Sequence, residues 1–263
     1  MQPNGFDESI RAPGPFLLAL EWRAPWEYGA SVASLPLLKT APKGDGHPVL
    51  VFPGLAASDF STVPLRRFLK DRGYAPHRWR LGMNLGPRPG VISASLERLR
   101  ELSTRHGRKV SLIGWSLGGI YARELAKLAP DDVRLVITLG SPFTGNPKAT
   151  NAARFYELAS GQKLGDRHLY ADLHEAPPVP TTSIFSRTDG VVAWQCSVQA
   201  PGPQTENIEV QASHVGMGLN PMAWFAIADR LAQPVGEWKP FERSGLRKFL
   251  YRNPRRKNLF DIL

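Results

Sequence analysis

Cys196 is the one cysteine in a chain of 263 residues. An internal disulfide is therefore excluded, and so is a metal site built on several thiolates. Long apolar runs are missing as well, and none approaches the ~20 residues a helix needs to cross a bilayer. The start, Met1-Gln2-Pro3-Asn4, lacks the basic residues of a secretory leader. The stretch Phe16-Leu17-Leu18-Ala19-Leu20 is shorter than a leader's apolar core of about 7–15 residues. The expectation is a cytoplasmic protein. Internal repeats and low-complexity segments are also missing. Acidic residues are few beside basic ones, 23 against 33, for a net charge of +10.

What is present is an ordinary globular balance, 42% hydrophobic and 21% charged, which excludes wholesale disorder. The length suits one large domain with a lid and tails, burying roughly 70–75% of its unfolded surface. Three parts are expected: an extension over 1–46 packed on the core, a core over 47–232, and a basic tail over 233–263. The tail from Lys239 onward carries eight basic and two acidic residues. Such a tail suits an anionic membrane surface, met peripherally, and nucleic acid is not expected as a partner. The plainer reading is a tail that is solvated or packed on its own domain. Phe241, Leu246, Phe249, Leu250 and Tyr251 interleave with its cations, as in an interfacial segment or a helix docked on the body.

Residues 1 to about 46 show no sustained period, and the aromatic stretch from Trp22 to Tyr28 is expected to pack on the body. From His47 the pattern is regular. His47 to Phe52 reads as a buried strand ended by Pro53-Gly54. Pro64 to Arg72 reads as a helix, with Ser61 or Thr62 as its cap. Ala75 to Trp79 reads as a strand, and Val91 to His106 as an amphipathic helix. Lys109 to Gly114 is a strand, Leu117 to Leu128 a helix and Val133 to Leu139 a strand. A polar break over 143–178 holds one helix near Ala149 to Leu158. Strands at Thr181–Phe185 and Ile208–Ala212 and a helix at Pro221–Leu231 complete the chain. This alternation predicts an α/β fold, a mostly parallel sheet with helices on both faces.

The strongest motif is Gly114-Trp115-Ser116-Leu117-Gly118-Gly119. A strand that turns at once into a helix forces its serine into a strained backbone conformation. Neighbours two residues away must lack side chains, and the hydroxyl is lifted above the sheet edge. The N–H of Leu117 then lies at a helix N-terminus, where an oxyanion is favoured. A serine hydroxyl needs a base, and the base needs an orienting acid. His214, in the loop after the last strand, lies at the same C-terminal edge of the sheet as Ser116. His47 precedes a strand and belongs to the opposite edge. Asp189 follows a strand between them, and the chain order Ser, Asp, His matches a known form of the triad. Asp-Gly is also a common turn pair, and Asp166 and Asp172 stand as fallback acids. A second oxyanion donor is the N–H of Leu55, in the turn Pro53-Gly54-Leu55-Ala56.

On these residues the chain resembles the α/β-hydrolase superfamily, and within it bacterial lipases and esterases. The resemblance covers roughly residues 47–232, and the tail beyond Pro234 lies outside it. It implies a nucleophile elbow at Gly114, Trp115, Ser116 and Gly118 and an oxyanion hole at Leu55 and Leu117. It also implies an acyl-serine intermediate resolved by water, with a short helical lid at 143–178 over the acyl pocket. The implied activity is cleavage of a small-molecule or lipid ester without a cofactor. Two further readings use the same residues: acyl transfer to another acceptor, and a non-catalytic binding or membrane-associated protein. Asp166, His168, Asp172 and His174 cluster in the insertion, but without a metal-ligand rhythm they read as a solvated polar loop, so no metal is expected. Trp194, Met217, Leu219 and Trp224 fit either pocket or core.

Overall fold

The inner strands, Pro48–Phe52, Val110–Trp115, Val133–Leu139 and Thr181–Phe185, are buried on both faces, and the first three are short runs rich in β-branched residues and leucine. The computed structural model describes residues 7, 9–161 and 172–256. Three short helices come first: α1 (Pro15–Ala19), α2 (Ala24–Ala33) and α3 (Leu35–Leu38), with a 3₁₀ turn over Leu20–Arg23. The alternating part runs β1 (Pro48–Phe52), α4 (Val63–Asp71), β2 (Ala75–Arg78), α5 (Val91–His106), β3 (Val110–Trp115), α6 (Leu117–Leu128) and β4 (Val133–Leu139). Then come α7 (Ala153–Ser160), β5 (Thr181–Phe185), β6 (Thr205–Glu209), α8 (Pro221–Leu231) and α9 (Arg247–Leu250). The six strands form one sheet in the order β2-β1-β3-β4-β5-β6, and every pair is parallel.

Alternation along β1 divides the core. Val49 and Val51 face one layer with Leu65, Phe68 and Leu69 of α4 and Ala223 to Leu231 of α8. Leu50 and Phe52 face the other, with Leu99 and Leu102 of α5 and Tyr121, Ala122 and Leu125 of α6. Helices thus cover both faces, as parallel strands require. All the C-terminal strand ends lie along one edge, and the loops after β1, β3, β5 and β6 gather there.

Several expectations shift. The last strand is Thr205–Glu209 instead of Ile208–Ala212. Its first residues are polar because β6 is an edge strand, where Glu206 accepts from Thr182 Oγ1 at 2.9 Å and Asn207 Nδ2 donates to the Gln199 carbonyl at 2.8 Å. Thr62 occupies the N-cap of α4 but does not cap it, since its hydroxyl donates to the Asp59 carbonyl instead. The helix of the insertion starts at Ala153, after a turn.

The N-terminal segment reverses the expected polarity. Trp22 is 86% exposed and Trp26 79%. Carboxylates and an arginine of the same turns face the body instead, as described below. In the C-terminal segment Phe241 and Tyr251 are buried edge to face at 4.7 Å, and Tyr251 Oη donates to the Met222 carbonyl at 2.9 Å. Leu246, Phe249 and Leu250 remain exposed. Arg247 pairs with Asp229 at 3.1 Å and Arg256 with Glu209 at 2.8 Å, so two of the tail's cations are held against the body. Among the described residues no helix is long and apolar enough to cross a membrane.

Candidate active site

The turn from β3 into α6 has the geometry its glycines demand. Ser116 has φ 52° and ψ −121°, a left-hand conformation rarely adopted by a residue with a side chain. It is held there by its N–H bond to the Leu139 carbonyl at 2.8 Å and by the Gly119 N–H on its own carbonyl at 2.9 Å. A β-carbon on Gly114 would overlap Gly118 and Gly119, and one on Gly118 would lie 2.6 Å from the Phe52 carbonyl oxygen. Helix, strand and neighbouring strand therefore meet at backbone distance, and the hydroxyl stands clear at the sheet edge.

His214 and Asp189 meet it there. His214 Nε2 lies 2.9 Å from Ser116 Oγ, and His214 Nδ1 lies 2.7 Å from Asp189 Oδ2. The other Asp189 oxygen accepts the N–H groups of Val191 and Val192, both at 2.8 Å, which fixes the carboxylate's rotation. Both side chains are buried. Burial works against a charged imidazole, but the Asp189 carboxylate, by charge and by hydrogen bond, and then Glu21 outweigh it. The His214 pKa therefore lies above the ordinary 6.5. The position for which Asp166 and Asp172 stood as fallbacks is occupied by Asp189. Asp166 and His168 lie outside the described residues.

Gly54 approaches the same point, since a β-carbon there would stand 3.4 Å from Ser116 Cβ. Leu55 and Leu117 line the same cavity as Ser116 and His214. Neither Leu55 N–H nor Leu117 N–H has a hydrogen-bond partner among the described residues, so both donors are free for an incoming oxygen. The Leu55 turn is held by Asn84, which sequence reasoning missed. The Asn84 side chain donates to the Pro53 carbonyl at 2.9 Å, and its backbone bonds Ala56 N–H at 2.7 Å and the Ala57 carbonyl at 2.9 Å. Tyr121 Oη in turn donates to Asn84 Oδ1 at 3.1 Å. An Asn inside Met83-Asn84-Leu85-Gly86 looks like an ordinary turn residue, and only its burial marks it.

The cavity measures about 350 Å³, and among the described residues no Asp, Glu, Lys or Arg lines it. Leu55, Leu117, Ile120, Val191 and Val192 form part of its wall, and Phe155 and Tyr156 of α7 another. The described part of the 143–178 insertion thus borders the same cavity as Ser116. Trp115 lines the cavity and donates its indole N–H to the His214 carbonyl at 3.0 Å. Trp194 is elsewhere, stacked on Phe185 and beneath the Arg187 guanidinium. Met217 and Trp224 belong to the core. The Asp172 and His174 carbonyls accept from Lys127 and Arg123. Among the described residues no group of three or more His, Cys, Asp or Glu could hold a metal ion.

The family model described as "Alpha/beta hydrolase family" matches residues 49–257. The chain belongs to the alpha/beta hydrolase family. The match extends past Pro234, through most of the C-terminal segment. Among solved structures, the chain is similar to lipase B of Aspergillus fumigatus, with a TM-score of 0.57 at 18% identity, over 76% of this chain and 56% of that one. It thus spans little more than half of that lipase. It is similar to the monoacylglycerol lipase of Paleococcus ferrophilus, with a TM-score of 0.54 at 15% identity, over 73% of this chain and 96% of that one. It is similar also to lipase BlEst2 of Bacillus licheniformis in its mature form, with a TM-score of 0.52 at 17% identity, over 72% and 92%. At these identities the likeness is one of fold. No curated protein matches the sequence.

Proposed function

We propose that this alpha/beta hydrolase cleaves carboxylic esters with an apolar acyl group, using Ser116, His214 and Asp189. One observation carries the reading: Ser116 Oγ lies 2.9 Å from His214 Nε2 at the wall of a cavity that, among the described residues, no Asp, Glu, Lys or Arg lines. The shared fold with lipases at low identity is consistent with it and adds nothing about the ester.

In this reaction Ser116 Oγ attacks the ester carbonyl while His214 Nε2 takes its proton. Asp189 holds the ring in the tautomer with Nδ1 protonated and stabilises the imidazolium. The developing oxyanion is met by the Leu55 and Leu117 N–H groups, the second at the start of α6. Collapse of the tetrahedral adduct expels the alcohol, which receives the proton from His214. Water, deprotonated by the same imidazole, then releases the acid and restores the serine.

The test is Ser116→Ala with p-nitrophenyl esters of graded acyl length. Turnover is expected to fall by roughly 10⁴–10⁶-fold with the circular dichroism spectrum unchanged. A fluorophosphonate should form its adduct on Ser116 of the wild-type chain. Wild-type turnover by Ser116→Ala would remove the reading. Product analysis with a competing alcohol reports whether the acyl group goes to water or is transferred.

A further inference from the structure

The 3₁₀ turn and first turn of α2 reach the catalytic edge through charge. Glu21 Oε1 accepts the N–H of Gly190 at 2.7 Å and that of His214 at 2.9 Å, and Glu21 Oε2 accepts the N–H of Val215 at 2.9 Å. The first of these donors directly follows Asp189, and the other two belong to the base and its neighbour. One carboxylate therefore ties together the two loops that must present acid and base to each other. A second tie lies one helical turn on. Glu27 Oε1 accepts the Ser213 N–H at 2.7 Å and Arg23 Nε–H at 2.9 Å, and Arg23 Nη2 donates to the Thr188 carbonyl at 3.0 Å and to its hydroxyl at 2.8 Å. Residues 188, 190, 213, 214 and 215 are thus gripped by one segment more than 160 positions away in the chain.

We propose that Glu21 is a positioning residue for catalysis: it sets His214 against Asp189 through their backbones and lends its charge to the imidazolium formed during turnover. The inference rests on the assignment of Ser116, His214 and Asp189 above. Three backbone N–H groups on a carboxylate make charge-assisted bonds, stronger and shorter than neutral ones. Loops fixed in this way lose the small displacements that cost a triad its rate, since about 1 Å of misplacement can cost on the order of 100-fold.

The second effect is electrostatic. Burial disfavours the His214 imidazolium, and Glu21 joins Asp189 in reversing that preference. The other charged groups at this face, Arg23 and Glu27, are bonded to each other at 2.9 Å and offset one another. On the cavity side, no Asp, Glu, Lys or Arg lines the wall among the described residues. A base must be neutral to accept the serine proton. Removing the Glu21 charge lowers the imidazole pKa, and the acidic limb of activity then moves to lower pH.

The experiment compares wild type, Glu21→Ala, Glu21→Gln and Trp22→Ala. Trp22 is the exposed neighbour of Glu21 and leaves both readouts unchanged. One readout is kcat and KM for p-nitrophenyl butyrate per serine titrated by fluorophosphonate. The other is the pH dependence of Ser116 phosphonylation, which needs no knowledge of the natural ester. Glu21→Ala is expected to lose on the order of 10–100-fold in kcat with KM within about twofold. Glu21→Gln keeps an acceptor for Gly190 and His214, so it should recover most of kcat while its acidic limb stays displaced to lower pH. Should Glu21→Ala not fold, Glu21→Gln alone carries the test through that limb. Wild-type kcat per titrated serine in Glu21→Ala, or an acidic limb unmoved in Glu21→Gln, overturns the proposal. Ser116→Ala run alongside separates the two layers. Activity there would remove the triad itself, whereas an inert Ser116→Ala beside a wild-type Glu21→Ala would remove only the positioning role.

Discussion

The indole N–H of Trp115 donates to the main-chain oxygen of His214 at 3.0 Å. The residue before Ser116 thus holds the loop of His214, and the turn fixes two members of the candidate site at once. The bond also explains why an aromatic with a donor stands there. Trp115→Phe keeps most of the ring and leaves the His214 carbonyl without that donor. It should cost about 1 kcal/mol of stability. Turnover should fall about tenfold with little change in KM, because the serine–imidazole distance is what loosens. Steady-state kinetics and denaturant unfolding check this, and unchanged kcat would show that the loop is held sufficiently from the Glu21 side.

Asn84 does for the Leu55 turn what Trp115 does for the histidine loop. It is fully buried, and its side chain ties the Pro53 carbonyl to Tyr121. Asn84→Ala leaves a buried carbonyl and a buried hydroxyl without their partner, which costs roughly 1–3 kcal/mol. The Pro53 carbonyl that it releases stands two residues before Leu55, in the turn where Ala56 is held at φ 55°. A Leu55 N–H out of place forfeits one oxyanion donor, so kcat should fall by about 10²-fold or more if that donor is used. A folded Asn84→Ala with wild-type kcat would show that the Asn84 side chain is not what places the Leu55 N–H, while leaving Ser116 untouched.

The strands and the elbow were legible because their signals are local. Burial on both faces writes apolar runs at β1, β3 and β4, and the turn at Ser116 needs glycines at fixed offsets. His214 and Asp189 were legible through topology, as residues of loops at one sheet edge. Glu21, Arg23 and Glu27 were not, because a docking helix is recognised by apolar residues facing inward and this one turns its aromatics outward. Its contacts are hydrogen bonds to backbone N–H groups, which leave no mark in the sequence of the loops they bind. Asn84 was hidden for a related reason, since a turn residue and a buried linchpin share one letter. The polar start of β6 masked the edge strand.

A second serine–histidine–aspartate triplet lies at the opposite end of the sheet. His47 Nε2 is 2.9 Å from Ser111 Oγ, and His47 Nδ1 is 2.5 Å from Asp45 Oδ1. The distances resemble those at Ser116, yet Ser111 is fully buried within β3 and lines no cavity described here. Burial, followed by the opposing Asp45 hydrogen bond and the charges of Arg134 and Arg108, leaves the His47 pKa at about 4. The imidazole is therefore neutral at pH 7, donating to Asp45 and accepting from Ser111. A fluorophosphonate should modify Ser116 and spare Ser111. Ser111→Ala should keep turnover and cost about 1 kcal/mol.

The same triplet sets an acid dependence of stability. With a folded pKa near 4 against the ordinary 6.5, the unfolded chain takes up the proton first as pH falls. Stability from this group is complete above about 6.5, declines as pH drops towards 4, and changes no further below that, a loss of about 3 kcal/mol. His77, also lowered to about 4 by burial and then by His106, adds a slope of the same sign. His214, with its raised pKa, has the opposite sign: its contribution is present below 6.5 and lost as pH rises through the folded value. Both remain in His47→Gln, so the difference between the two proteins reports His47 together with Asp45, whose carboxyl, against its burial, His47 helps to hold low. Denaturant unfolding at pH 7 and pH 4.5 should show a smaller loss in His47→Gln than in wild type. Equal losses in the two proteins would mean that His47 is charged in the folded chain at pH 4.5.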